Sequence, residues 1–187
     1  MTQIVAIAGS PSHPSRTHSL LDYAVQYLGQ QEIQTAIISV RDLPAEDLVF
    51  GRYDSPNLKP AISLITQASG LIVATPVYKA SYTGVLKAFL DLLPQKALVG
   101  KVVLPIATGG TIAHLLAIDY ALKPVLSELG ARHFISSIYA VDKQIQRQED
   151  GSIQLDEELN QRLHSSFDEL ATTLSQPSIP PEFAFAS

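Results

Sequence analysis

QIVAIAGSPSHPSRTHSLL, Gln3 to Leu21, is the stretch that decides the fold. Its opening run, Gln3–Ala8, is apolar on both faces and rich in β-branched side chains. A half-exposed strand would alternate; a parallel strand covered on both sides reads as a continuous apolar run. Gly9 stops the run, and from Ser19 the apolar residues Leu20, Leu21, Ala24 and Leu28 recur at helical spacing. Buried strand, one loop and helix make the first β–α unit.

The same order repeats along the chain. Strands are expected at Ile33–Val40, Leu71–Thr75, Val102–Ala107 (with Pro105 inside it) and Phe134–Val141. Helices are expected at Ser19–Leu28, Leu58–Ala68, Thr83–Leu93, Ile112–Leu129 and Asp156–Leu174. Alternating strands and helices predict a doubly wound α/β sheet of five parallel strands, order 2-1-3-4-5, with helices on both faces. Arg41–Pro60, which holds three prolines, reads as a long irregular surface connection. One domain is expected over residues 1–175, followed by a flexible tail over 176–187.

Composition narrows the function. The 187 residues are 46% hydrophobic and 17% charged, with no cysteine, which removes disulfides, thiolate metal sites and thiol redox chemistry. Redox work would need a bound cofactor. A net charge of −5 without a basic stripe argues against nucleic acid. No membrane span is apparent, and MTQIVAIAGS lacks the basic start and long apolar run of a signal peptide, so the cytoplasm is the expected location. The five histidines show no ligand spacing, so no metal is expected. Strand ends at Ala8-Gly9 and Thr75-Pro76 lack the acidic residues of a phosphoacceptor site, and no GxSxG elbow marks a serine hydrolase.

In such a sheet ligands bind beyond the carboxyl ends of the strands, at the switch point between strands 1 and 3. Three loops meet there. The first, GSPSHPSRTHS, has no lysine for a triphosphate and one glycine of the three in a dinucleotide fingerprint. Its hydroxyls at Ser10, Ser12, Ser15, Thr17 and Ser19, with Arg16, lead into a helix N-terminus and suit a single terminal phosphate. The alternative is a capping loop rich in Ser and Thr. The second, TPVYKASYTG, turns outward at Pro76 and offers amides and small side chains. That lining suits a flat ring with carbonyls and nitrogens on its edge, as a flavin has; the alternative is a turn with a surface tyrosine. The third, ATGGTIAH, lets main chain approach a ring closely at Gly109 and Gly110. His114 beyond it is either a ligand contact or a helix-start histidine.

GSPSHPS…SLL, LIVATPVYKASYTGVLKAFLDLLP and GKVVLPIATGGTIAHLLAIDYALKPVL together resemble the NADPH-dependent FMN reductases, in particular the reductase components of two-component alkanesulfonate monooxygenase systems. The resemblance runs through about the first 140 residues and is most specific over Leu71–Leu126. It implies a flavodoxin-like fold in which Ser10, Ser15 and Thr17 hold the FMN phosphate. Relatives often carry arginine where this chain has Ser12, and Arg16 is the substitute charge. Pro76, Val77, Tyr78, Lys79 and Ser81 would contact the isoalloxazine, and Thr108, Gly109 and Gly110 its other edge. NADPH would dock transiently over the flavin, no protein acid or base would be needed, and reduced FMN would leave for a partner monooxygenase. Two rivals use the same scaffold: a tight FMN electron carrier, and an FMN enzyme for quinones, azo dyes or metal ions. NADPH and NADH are not distinguished, although Arg16 and Lys79 are candidates to meet a 2′-phosphate.

The Ile112–Leu129 stretch is apolar nearly all round between Leu115 and Leu122, as is Thr83–Leu93, which predicts burial against another subunit in a homodimer or homotetramer. Pro124 clashes with the carbonyl of Tyr120, so a kink or π-bulge is expected there. In the resembling reductases a tyrosine in this context forms a π-helix at the subunit interface and is linked to use of flavin as a substrate. Tyr120 matches it.

Overall fold

The computed structural model describes residues 4–149 and 152–176. Strands β1 (Ile4–Ala8), β2 (Thr35–Ser39), β3 (Gly70–Pro76) and β4 (Val102–Gly109) form a parallel sheet in the order β2-β1-β3-β4. Beyond β4, the expected fifth strand is two short pieces, β5 (His133–Phe134) and β6 (Ile138–Val141), both parallel to β4. Pro105 accounts for the gap. The Val103 carbonyl accepts from the Ile135 N–H at 2.9 Å, so residues of that parity turn their backbone toward this edge. Pro105 has no N–H to give there, and pairing resumes only at Ile106. The order 2-1-3-4-5 holds.

The helices are α1 (Arg16–Gln30), α2 (Ala45–Val49), α3 (Lys59–Gln67), α4 (Gly84–Leu90), α5 (Lys123–Glu128) and α6 (Glu157–Ser175). Alternation along β1 divides the core. Ile4, Ala6 and Ala8 pack with Leu20, Leu21 and Leu28 of α1 and Leu163, Phe167 and Leu170 of α6. Val5 and Ile7 face Ile65 of α3, Leu86 and Phe89 of α4, and Leu126 of α5. Each buried Val, Leu, Ile or Phe side chain among these contributes about 1.5–3 kcal/mol, so both faces of the sheet are secured. Among the described residues no helix is long and apolar enough to cross a membrane.

Three local departures have physical causes. Helix α1 starts at Arg16 rather than Ser19, because the Ser15 hydroxyl caps it by accepting from the His18 N–H at 3.3 Å. The Ile112–Leu129 stretch is not one helix: a 3₁₀ turn at Ile112–His114 is followed by a π-helix at Ile118–Leu122 and then α5. The Lys123 N–H reaches back to the Ile118 carbonyl, and Pro124 offers no N–H to Tyr120, as expected for the bulge at this tyrosine. A small antiparallel ladder, β7 (Ile145–Arg147) with β8 (Ile153–Leu155), lies outside the expected elements. Its strands are three residues each, too short to stand out as periodic. Of the expected tail, all but Gln176 lies outside the described residues.

The connection Arg41–Pro60 is ordered, contrary to the irregular reading. It contains α2 and 3₁₀ turns at Val40–Asp42 and Pro56–Leu58. Its centre is the buried carboxylate of Asp47, which accepts from Ser55 Oγ (2.5 Å), Asn57 Nδ2 (3.1 Å) and Arg52 Nη1 (3.4 Å). These hydrogen bonds, Ser55 first, hold its pKa below the usual carboxylate range. A depressed pKa stabilises the fold above the unfolded-state value, and that contribution disappears as pH falls through the folded-state value. Asp47→Asn should therefore lower the urea midpoint at neutral pH, with the gap to the parent closing on acidification below the carboxylate range. A constant gap at all pH values would contradict this.

Candidate functional site

The ends of β1, β3 and β4 bring the three loops together, and buried hydrogen bonds fasten them. The Gly9 N–H donates to the Ala74 carbonyl at 2.8 Å, and the Thr83 hydroxyl donates to the Gly9 carbonyl. The Thr83 N–H donates to Thr75 Oγ1 at 3.1 Å, while Thr83 Oγ1 caps α4 by accepting from the Leu86 N–H at 3.2 Å. Gly9 is needed here because a Cβ would meet Leu86 Cβ at 2.9 Å and the Ala74 carbonyl at 3.0 Å. On the other side, Val77 N–H donates to the Thr108 carbonyl at 2.7 Å, and the hydroxyls of Thr17 and Thr108 meet at 2.7 Å.

The first loop divides its expected ligands into separate roles. Ser10 is buried, with its hydroxyl accepting from the Ser12 N–H at 3.3 Å. Ser15 is the helix cap, and Thr17, almost fully buried, is engaged with Thr108. Arg16 lies toward the β6–β7 connection: its Nε donates to the Ile145 carbonyl at 3.4 Å, and Nη1 is 3.9 Å from Asp142. Among the described residues the N–H groups of Arg16 and Thr17 have no protein acceptor. Two free donors at the positive end of a 15-residue helix suit a phosphate.

In the second loop Tyr78 and Ser81 exchange backbone hydrogen bonds (2.8 and 3.2 Å), making a two-residue hairpin around Lys79 and Ala80. Both central residues are left-handed, φ 50° and 63°, as a type I′ turn requires. Without glycine this costs about 1–3 kcal/mol per residue, so the surrounding contacts impose it. The Tyr78 and Ser12 hydroxyls meet at 3.1 Å, joining this hairpin to the first loop. Pro76 closes β3 opposite Thr108.

The third loop is held from beneath. The Tyr139 hydroxyl donates to the Thr111 carbonyl at 2.8 Å, and burial, helped by nearby Asp142, raises its pKa and keeps the proton in place. A Cβ on Gly109 would collide with that hydroxyl, whereas a Cβ on Gly110 would meet nothing within 4 Å. Gly110 thus leaves its main chain open, and His114 is exposed just beyond. Tyr120 is 80% exposed on the π-helix, and Ile112, Leu115 and Leu116 before it in the chain are exposed too. The free amides at the start of α1 and the open main chain at Gly110 fit an FMN phosphate and ring edge respectively.

Thr75, Thr83 and Tyr139 escape a reading of the sequence. Thr83 before Gly-Val-Leu-Lys is legible as a helix cap, but its partner Gly9 lies 74 residues away. Tyr139 sits inside an apolar run that reads simply as core.

A family model described as NADPH-dependent FMN reductase matches residues 2–146. An FMN reductase (NADPH) of Pseudomonas putida is 49% identical over 178 residues, covering 95% of this chain and 90% of its own. An FMN reductase (NADPH) of Escherichia coli K12 is 53% identical over 143 residues, 76% of this chain and 75% of its own. Among solved structures, apo NADH:FMN oxidoreductase (EMOB) superposes with a TM-score of 0.83 at 43% identity, covering 95% of this chain and 92% of that one. The chain belongs to the NADPH-dependent FMN reductase family.

Proposed function

We propose that this protein oxidises NADPH to reduce FMN at the shared edge of β1, β3 and β4, and releases the reduced flavin to a separate monooxygenase, with cytoplasmic alkanesulfonate desulfonation as the setting. The observation that carries the reading is the cradle itself: three loops fastened by buried threonines, offering amides and hydroxyls and little fixed positive charge. Arg16, the nearest cation on the first loop, is directed toward Asp142 (3.9 Å) and the Ile145 carbonyl (3.4 Å). A phosphate held by amides without a committed cation leaves readily, which favours a flavin used as a substrate over a tight carrier.

FMN, when bound, would supply the hydride acceptor for NADPH, and the protein would contribute position and electrostatics. In this reading the N–H groups of Arg16 and Thr17 orient the phosphate, with Ser10 and Ser15 shaping the loop. Pro76, Val77, Tyr78, Lys79 and Ser81 flank one side of the ring, and Thr108, Gly109 and Gly110 the other. No side chain has to take up or give a proton. The exposed Ile112, Leu115, Leu116 and Tyr120 support a homodimer or homotetramer assembled through the π-helix, with His114 at its rim.

Steady-state assays test the reading directly: NADPH oxidation should rise with added free FMN and saturate. A stably yellow protein indifferent to added FMN would be the carrier instead, and a ping-pong pattern with a quinone would indicate the acceptor reductase. Tyr120→Ala should turn a transient binder into a tighter one that purifies with flavin; a colourless variant with full FMN-dependent activity would refute the role. Thr83→Val leaves the Gly9 carbonyl and the Leu86 N–H without their partner. It should cost about 1–3 kcal/mol of stability, read by denaturant melts, and weaken FMN binding about tenfold, read by fluorescence titration.

A further inference from the structure

One polar cavity of about 270 Å³ stands outside the flavin cradle and next to it. Ser12, His13, His18, Ser39, Arg41 and Asp42 line it, so it opens on the β2 side of the first loop, at the carboxyl ends of β1 and β2. Ser12 is its link to the cradle, since its hydroxyl meets that of Tyr78 at 3.1 Å. A molecule lying over the flavin-facing hairpin and running along the first loop arrives here.

The lining suits a phosphate. Arg41 carries a planar fork of N–H donors, and within the described residues only its Nε is engaged, by Asp42 at 3.6 Å. Both terminal nitrogens remain for a ligand. Ser12 and Ser39 add hydroxyls, and the imidazoles of His13 and His18 add ring nitrogens; His18 Nε2 lies 3.7 Å from Asp22. Asp42 opposes an anion, but its carboxylate is well exposed and already paired with the guanidinium it orients. The flavin phosphate has its own donors at the start of α1, so the cavity is spare for a second phosphate. Arg16 and Lys79, the cations that the sequence offers for that role, are elsewhere: one is held by Asp142 and the other stands at the hairpin tip.

We infer that this cavity receives the 2′-phosphate on the adenosine half of NADPH, and that Arg41 sets the preference for NADPH over NADH. The inference rests on the function proposed above. That phosphate is the sole chemical difference between the two coenzymes, and similar proteins are named for one or the other.

Two measurements on the full chain test it. In calorimetry, adenosine 2′,5′-bisphosphate should bind at least about tenfold more tightly than 5′-AMP, and Arg41→Gln should abolish that difference. In steady state, Arg41→Gln should lower kcat/KM for NADPH by about ten- to hundredfold while sparing kcat/KM for NADH and the FMN dissociation constant; Arg41→Lys should recover part of the loss. Equal losses with both coenzymes, an unchanged NADPH-to-NADH ratio, or weakened FMN binding with intact NADPH preference would each overturn the assignment. Failure of the parent protein to reduce FMN with either coenzyme would sink the proposed function alone. The preference between the two adenosine nucleotides would still decide the cavity.

Discussion

The hydrogen bond from the Thr83 hydroxyl to the Gly9 carbonyl is the constraint on which the rest of the site depends. It is buried, it ties the loop after β1 to the loop after β3, and the same oxygen caps α4. Gly9 makes the close approach feasible, since only a residue without a side chain fits between Leu86 and the Ala74 carbonyl. The Thr17–Thr108 contact does the same work toward β4. Loops that carry chemistry are normally the mobile parts of a fold. Here buried polar contacts anchored in the two cores hold them in register, while amides, hydroxyls and the Gly110 main chain face out beside the exposed side chains of Tyr78, Lys79 and His114.

Proline acts twice in the same physical way, by withholding a donor. Pro105 interrupts the pairing on the far side of β4 and separates β5 from β6. Pro124 leaves the Tyr120 carbonyl without its helical partner, and the backbone widens into the π-helix. The first has a local consequence, a break in an edge strand. The second lies at Tyr120, which is 80% exposed, in a stretch where Ile112, Leu115 and Leu116 are exposed as well.

The cations are arranged less simply than the residue types imply. Arg16 adjoins the expected phosphate ligands in sequence but turns away toward Asp142, so the start of α1 offers main-chain donors and the helix dipole instead. Arg41, distant in sequence from the first loop, stands in the cavity beside Ser12. An anion site built on amides and a neighbouring one built on guanidinium differ in how strongly they hold a phosphate. On the function and coenzyme site proposed above, that difference suits a flavin that departs and a coenzyme that must be told apart from its unphosphorylated form.

Much of this was legible in the chain. Continuous apolar runs at Gln3–Ala8, Leu71–Thr75 and Val102–Ala107, alternating with helical patterns, point to a parallel sheet covered on both faces. The alternation of strand and helix points to a doubly wound sheet, for which 2-1-3-4-5 is the most frequent five-strand order, and so to the edge where the three loops meet. Pro124 likewise announces the distortion at Tyr120, since the missing N–H is a property of the residue itself. What the tertiary structure alone decided are the pairings between distant residues: Thr83 with Gly9, Thr17 with Thr108, Tyr139 with Thr111, and the carboxylate of Asp47 within a connection that reads as irregular. The reason is that a hydroxyl, an arginine or an aspartate carries no mark of its partner. Which group it meets depends on how the packed helices and strands bring remote backbone into reach, and that is settled only when both cores have closed.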